Sequence, residues 1–256
     1  MAGVRQCAGL ARVVLVVPCY NEANRLDVSA FRRFDLPGHK LDFVFVNDGS
    51  RDNTGQILRS LHVENPARFA FLDLERNVGK AEAVRRGVLA AAERSHGYVG
   101  FWDADLATPL SELPAMVDVL ETRPEIEMLF AARVRLLGRD ISRRAPRHYF
   151  GRFGATLISM SLGLPIYDTQ CGAKLFRCSE TLWEVFATPF LSRWIFDVEI
   201  IARFIQRQGR DHVARSLYEY PVTQWHDVTG SNVRSRDFLR ALLDLWKIHR
   251  AYNAPG

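Results

Sequence analysis

Four short apolar runs recur in the first half of the chain, each ending in polar, turn-prone residues: Arg12–Val17 (RVVLVV), Leu41–Val46 (LDFVFV), Phe69–Leu74 (FAFLDL) and Tyr98–Trp102 (YVGFW). Runs of this length that are apolar on both faces and rich in β-branched and aromatic residues are the pattern of buried parallel strands. Helical spacing separates them: a segment running from a cap at Asn24 to about Phe34, Thr54–His62, and an Ala-rich stretch from Lys80 to about Arg94. Strand and helix thus alternate as βα units, and right-handed crossovers place the strand ends along one edge of the sheet. That edge is where open α/β sheets bind ligands. The second half is less regular. Ile126–Ala132 reads as a fifth strand, followed by helices at about 147–162, 179–186 and 196–208, a strand over 213–222 and an amphipathic helix over Arg236–Tyr252. Without a repeat, low-complexity tract or linker, the expectation is one α/β domain over 1–256. Its first part, 1–125, forms a ligand-binding half, and 126–256 forms a second half with amphipathic helices.

Composition narrows the class. With 48% apolar and 25% charged residues the chain is globular and long enough to bury a substantial core. No apolar run approaches the roughly 20 residues that span a bilayer; the longest candidate, Phe153–Ile166, is short and carries Thr156, Ser159 and Ser161. The apolar N-terminal stretch runs on into PCYNE with no small-residue cleavage site, as a first strand would and a leader would not. Four scattered cysteines without paired spacing argue against zinc and a disulfide framework, so a reducing, cytosolic setting is expected. The net charge of +5 is uneven, with seven Arg and one Asp between Arg133 and Arg152. Such a stretch suits an anionic partner, or is a solvated basic face. Only four residues are Lys, against 30 Arg, and two of the four, Lys80 and Lys174, fall inside the motifs GKAEAVRRG and DTQCGAKLF.

The candidate chemistry centres on DADLATP, Asp103 to Pro109, at the end of the fourth strand. Side chains at i and i+2 leave an extended chain on the same side, so Asp103 and Asp105 can converge on one hard cation with oxygen ligands. The plainer alternative is a solvated turn. Neither G-x-G-x-x-G after the first strand nor G-x-x-x-x-G-K-[ST] is present, which argues against dinucleotide oxidoreductases and P-loop enzymes. The strand ends carry instead PCYNE, NDGSRDNT, GKAEAVRRG and DADLATP.

These four segments in this order closely resemble the inverting nucleotide-sugar glycosyltransferases of family two, which have a GT-A fold: a Rossmann-like, mostly parallel sheet flanked by helices, here with a C-terminal helical elaboration. DTQCGAKLF (Asp168–Phe176), RWIFDVEI (Arg193–Ile200) and WHDVTGSN (Trp225–Asn232) extend the resemblance to the dolichyl-phosphate β-glucosyltransferase branch, near the dolichyl-phosphate mannose synthases. The resemblance implies that Pro18, Tyr20, Glu22 and Asp48 line the base and ribose pocket, with Lys80 and Asp103 on the diphosphate. It further implies that Asp103 and Asp105 hold Mg²⁺ or Mn²⁺, and that Asp168, Gln170, Lys174, His226 and Ser231 form the sugar pocket. Asp197 and Glu199 are candidates for a catalytic base, for positioning sugar hydroxyls or for holding Arg193. Relatives usually carry a second Gly where this chain has Ala81, and mannose synthases often carry Gln where it has Ala107.

The acceptor is argued from chemistry. A sugar hydroxyl needs a general base, whereas a phosphate monoester already carries about −1.5 to −2 charge and needs a cationic grip. Arg133, Arg143, Arg144 and Arg147 supply guanidinium forks suited to phosphate, and the apolar stretch Phe150–Leu164 directly after them suits a lipid interface. The expected partners are UDP-glucose and a polyprenyl or dolichyl phosphate, met by peripheral contact at the cytosolic face of a membrane. Two alternatives stay open: a soluble transferase acting on a hydroxyl acceptor, and a non-catalytic module gripping nucleic acid through the Arg and Tyr149, Phe150 and Phe153. The second leaves the Asp pair and Lys80 without a purpose, so no nucleic-acid partner is expected.

Overall fold

The computed structural model describes residues 11–92, 97–142, 145–226 and 235–252, with the side chains of 142, 145–153 and 235–239 not described. In chain order these residues form β1 (Arg12–Cys19), α1 (Val28–Arg33), β2 (Lys40–Asp48), α2 (Thr54–Glu64), β3 (Phe69–Leu74), α3 (Lys80–Ala91), β4 (Tyr98–Trp102), α4 (Leu113–Thr122) and β5 (Met128–Ala132). There follow β6 (Asp140–Ser142), α5 (Ala145–Leu162), β7 (Ala173–Arg177), α6 (Glu180–Ala187), α7 (Phe196–Gln208), α8 (Arg210–Ser216), β8 (Leu217–Pro221), β9 (Gln224–His226) and α9 (Ser235–Tyr252).

Seven strands make one sheet in the order β3-β2-β1-β4-β7-β5-β8, and β6 pairs with β9 in a small second sheet. All pairings in the large sheet are parallel except those of β7, which lies antiparallel between β4 and β5. The expected mostly parallel, helix-flanked sheet is therefore present. Alternation along each strand divides the core between the two faces. Val14, Val16, Val44, Val46, Val99 and Phe101 pack with the buried residues of α3 and α7. Val13, Leu15, Val17, Phe43, Phe45 and Trp102 pack on the other side with Phe31 of α1 and Leu113, Met116 and Val117 of α4. Because helices cover both faces, each strand needs apolar residues in both phases, and that is why the runs are uninterrupted.

Two expectations are corrected, and two elements lie in stretches to which none was assigned. The first helix starts at Val28, and Asp27, not Asn24, caps it by accepting from the Ala30 N–H at 3.0 Å; the preceding turn is held by the Glu22 carbonyl, which accepts from Arg25 and Leu26. The stretch 213–222 is divided: Val213 and Ser216 are buried on α8, and the strand begins only at Leu217. The polar passage 168–176 contains β7, a strand whose pattern is masked by Lys174 at its centre. Finally, α4 lies between the fourth and fifth strands, in a stretch to which no element was assigned.

Candidate active site

The carboxyl ends of β1, β2 and β4 converge on one rim, and the loop after β4 is its centre. Trp102 ends the strand with its indole N–H on the Thr108 carbonyl at 2.7 Å, closing the chain into a compact turn. Within the turn Leu106 takes the left-handed conformation at φ 51°, and the Ala107 N–H reaches back to Asp105 Oδ1 at 3.1 Å. The Asp103 N–H is held by the Gly172 carbonyl at 2.9 Å. Gly172 is required for a second reason, since a Cβ there would stand 1.9 Å from Asp103 Oδ2. The Asp103 carboxylate thus lies against bare backbone, a cradle that no other residue at position 172 leaves open.

Lys80, the first residue of α3, meets this pair. Its Nζ is 2.5 Å from Asp103 Oδ1, with the two side chains 43% and 32% exposed. Burial works against the lysine's charge, but Asp103, Asp197 and Asp105 outweigh it and hold its pKa above the ordinary value. The carboxylates repel one another: burial, and then Asp103, push Asp105 up. Burial likewise pushes Glu22 up against the opposing Arg25, with smaller contributions from Asp105 and Asp103. Crowded, partly buried carboxylates whose pKa stays raised against Lys80 and Arg25 make a site that a cation would relieve. Among the described residues no group of three or more His, Cys, Asp or Glu is arranged to hold a metal ion.

The other strand-end segments form the wall beside this turn. Past β1, the 21–23 backbone is zipped to the loop after β2: Asn21 N–H to Ser50 Oγ at 3.0 Å, Glu22 N–H to Thr54 Oγ1 at 2.8 Å and Ala23 N–H to Asp52 Oδ2 at 3.1 Å. Pro18 sits within β1 and Tyr20, 41% exposed, lies just beyond it. Glu22 is committed to Arg25 through two contacts of 2.9 and 2.6 Å. Asp48 is committed as well. Its Oδ1 accepts the Val78 N–H at 2.7 Å, and its Oδ2 accepts the Gly79 N–H and the Asn77 side-chain amide, both at 2.9 Å. The residue expected to receive a base is thus the brace of the loop that leads into Lys80.

Several second-half residues fall elsewhere than expected. Glu199 is fully buried and cannot act as a base at the rim: it pairs with Arg203 at 2.7 Å and accepts from Tyr252 Oη and the Leu191 and Ser192 N–H groups. Lys174 lies beneath the site rather than in it, 1% exposed, with Nζ 2.7 Å from Asp197 and its charge over the rings of Phe101 and Phe130. Asp197, near the start of α7, is pushed up by burial despite Lys174 and Lys80, and Gln170 reaches its Oδ2 at 3.5 Å. Asp168 is engaged by Arg133 through Nε at 2.7 Å and Nη2 at 2.8 Å, and that guanidinium also lies over the Trp225 ring. A fork already closed on a carboxylate is not a free phosphate receptor. His226 is exposed, and it touches the aspartate turn through its backbone, N–H to the Ala107 carbonyl at 3.0 Å. Arg143, Arg144 and Ser231 lie outside the described residues; Arg147 is in α5 with its side chain likewise not described.

Residues assigned no role of their own from the sequence complete the rim. Gly172 lies inside DTQCGAKLF and Arg193 opens RWIFDVEI, while Arg25 and Asn77 stand in no apolar period or spacing that signals a site; Arg193 donates from Nη2 to Asn77 Oδ1 at 3.1 Å.

Comparison with known proteins follows the same lines. The family model for Glycosyl transferase family 2 matches residues 14–183. A dolichyl-phosphate beta-glucosyltransferase of Trichomonas vaginalis is 30% identical over 246 residues, covering 91% of this chain and 69% of that protein. The dolichyl-phosphate beta-glucosyltransferase of Saccharomyces cerevisiae is 30% identical over 259 residues, covering 93% and 74%. Among solved structures, glucosyl-3-phosphoglycerate synthase from Mycobacterium tuberculosis, in complex with Mn²⁺, UDP-glucose and phosphoglyceric acid, superposes with a TM-score of 0.63 at 18% identity over 94% of this chain and 80% of that one. At that identity the likeness speaks to the fold, which is GT-A.

Proposed function

The chain belongs to glycosyl transferase family 2, and on that premise we propose that it transfers glucose from UDP-glucose to the phosphate of a polyprenyl lipid such as dolichyl phosphate, inverting the anomeric centre. The observation that carries the donor half is Lys80 Nζ at 2.5 Å from Asp103 with Asp105 beside it, two carboxylates and a cation from separate loops on one rim. The acceptor half is supported by relatives that cover more than nine-tenths of the chain and are dolichyl-phosphate beta-glucosyltransferases.

The aspartates fit Mg²⁺ or Mn²⁺: they are hard oxygen donors, Asp105 stays raised by burial and Asp103 although Lys80 and Arg25 oppose it, and Gly172 leaves free the space beside Asp103 Oδ2 that a Cβ would fill. Asp103 and Asp105 would hold the ion, which when bound supplies Lewis-acid stabilisation of the departing diphosphate. Lys80 contributes a fixed positive charge at the start of α3, on the side where negative charge accumulates as the sugar leaves. The Tyr20 ring offers a face to the base. Asp197, with Gln170 against it and paired with the buried Lys174, closes the floor beneath this site. No protein base is required, because the phosphate acceptor is already anionic.

Access from a membrane surface is supported by the distribution of exposed apolar side chains. Leu136 and Leu137 follow β5 at the carboxyl edge of the sheet, beside Arg135 and Arg139. Leu191 and Trp194 flank Arg193, and Leu243 and Trp246 lie on α9 among Arg240, Lys247 and Arg250. Apolar and basic groups interleaved in this way suit an anionic lipid interface. Among the described residues, no helix is long and apolar enough to cross a membrane. The reading is tested by following UDP release from UDP-glucose with Mg²⁺ and a short polyprenyl phosphate. Lipid-dependent release is expected; turnover with a soluble hydroxyl acceptor and none with lipid phosphate would replace it with a transferase of the other acceptor class.

A further inference from the structure

Arg193 reaches the donor side of the rim from the second half of the chain, and its surroundings are more elaborate than an exposed arginine needs. On one side its platform is rigid. The Leu191 and Ser192 N–H groups donate to Glu199 Oε2 at 2.8 and 3.3 Å, and Ser192 Oγ accepts from Ile195 N–H at 2.9 Å while donating to Asp244 of α9 at 2.9 Å. Glu199 is itself fixed by Arg203 and by Tyr252, also of α9. On the other side the guanidinium meets the loop that leads into Lys80. Nη2 donates to Asn77 Oδ1, and the Asn77 amide nitrogen donates to Asp48 Oδ2, which also holds the Gly79 N–H. Only one orientation of the Asn77 amide serves both neighbours, since a flip would set N–H against guanidinium and oxygen against carboxylate. Gly79, at φ 98°, presents a bare Cα to the guanidinium; a Cβ there would come 2.6 Å from Arg193 Nε.

We propose that Arg193 is a positioning residue for the transfer step: it clamps the Asn77–Gly79 loop from outside while Asp48 holds it from within, and so fixes Lys80 against Asp103. This rests on the donor-site role given to Lys80 above. One hydrogen bond from an exposed guanidinium adds little to stability, so a braced platform delivering it makes physical sense where placement within a fraction of an ångström matters, which is at a reacting centre. The arrangement also links the halves of the chain: the segment that anchors α9 is the one that sets the donor loop.

The experiment is a double-mutant cycle of Arg193→Ala and Lys80→Ala, with UDP-glucose, Mg²⁺ and a short polyprenyl phosphate, reading kcat, donor KM and the thermal midpoint. Arg193→Ala is expected to lower kcat about ten-fold, with the midpoint unchanged. In the Lys80→Ala background it is expected to cost less than about two-fold, because the group it positions is gone. Arg193→Lys, which keeps the charge but not the planar fork against Gly79, is expected to recover only part of the loss. Losses that multiply in the double variant, or an unchanged kcat in Arg193→Ala while Lys80→Ala is impaired, would overturn the inference alone. Full activity in Lys80→Ala would remove the donor-site reading and this inference with it.

Discussion

Two Lys–Asp pairs lie near each other in this fold and do opposite work. Lys80 and Asp103 are 2.5 Å apart and roughly two-fifths and one-third exposed, whereas Lys174 and Asp197 are 2.7 Å apart and 1% and 7% exposed. The buried pair has almost no access to water, and each charge depends on the other, Lys174 also on the Cys171 carbonyl that accepts from it and on the two phenylalanine rings. The open pair can exchange its partner for a phosphate or a metal ion at small cost. Identical chemistry thus gives a fixed floor in one place and a working site in the other, and solvent access is what separates them.

The sharpest way to break the comparison is to remove each lysine. Lys174→Ala strands a buried carboxylate and is expected to lower stability by about 3–5 kcal/mol in chemical denaturation; a loss below about 1 kcal/mol would mean that the pair is not the floor described here. Asp105→Ala is expected to reduce transfer by on the order of 10²–10³-fold while leaving the midpoint unchanged or raised, because it relieves repulsion with Asp103. Full activity in that variant would take the metal out of the mechanism. Lys80→Ala is expected to cost about 10²-fold in kcat, with a stability change under about 1 kcal/mol. A large loss of stability there would make the two pairs alike and remove the distinction.

The half of the fold that repeats βα units was legible because parallel strands covered on both faces write themselves as unbroken apolar runs, as at Val13–Val17 and Phe43–Val46. Strand β7 was not, because Lys174 at its centre is a buried charge satisfied by tertiary partners that no local pattern reports. In the site, the convergence of Lys80 on the aspartate pair followed from strand-end geometry and motif order. The committed states of Asp48, Glu199 and Arg133 did not follow, since each motif names a residue type while its role is set by the donors that happen to face it: the 77–79 loop for Asp48, Arg203 with Tyr252 for Glu199, and Asp168 for Arg133. Gly172 was invisible for the same reason, its purpose being the space it leaves for Asp103.

The smallest expected effect sharpens the comparison by pH. Burial and Asp103 raise the Asp105 pKa in the folded chain above its unfolded value, near 3.9. Between those two values the folded state binds more protons than the unfolded one, so this group makes the metal-free protein lose stability as pH rises through the folded pKa, and the penalty persists above it. A divalent cation bound to the ionised pair removes that penalty and adds its own binding free energy, about 1.4 kcal/mol at ten times its Kd. Mn²⁺ is therefore expected to raise the thermal midpoint at pH 7.5 and to do so less as pH falls, because protons compete for Asp105 over a window that starts above the ordinary aspartate range. In Asp105→Asn the Mn²⁺ shift is expected to shrink, and with it the pH dependence. The Lys174–Asp197 pair, closed to solvent, is expected to contribute nothing to the shift. A Mn²⁺ effect that persists unchanged in Asp105→Asn would place the ion elsewhere, and the open pair would then have to be understood without it.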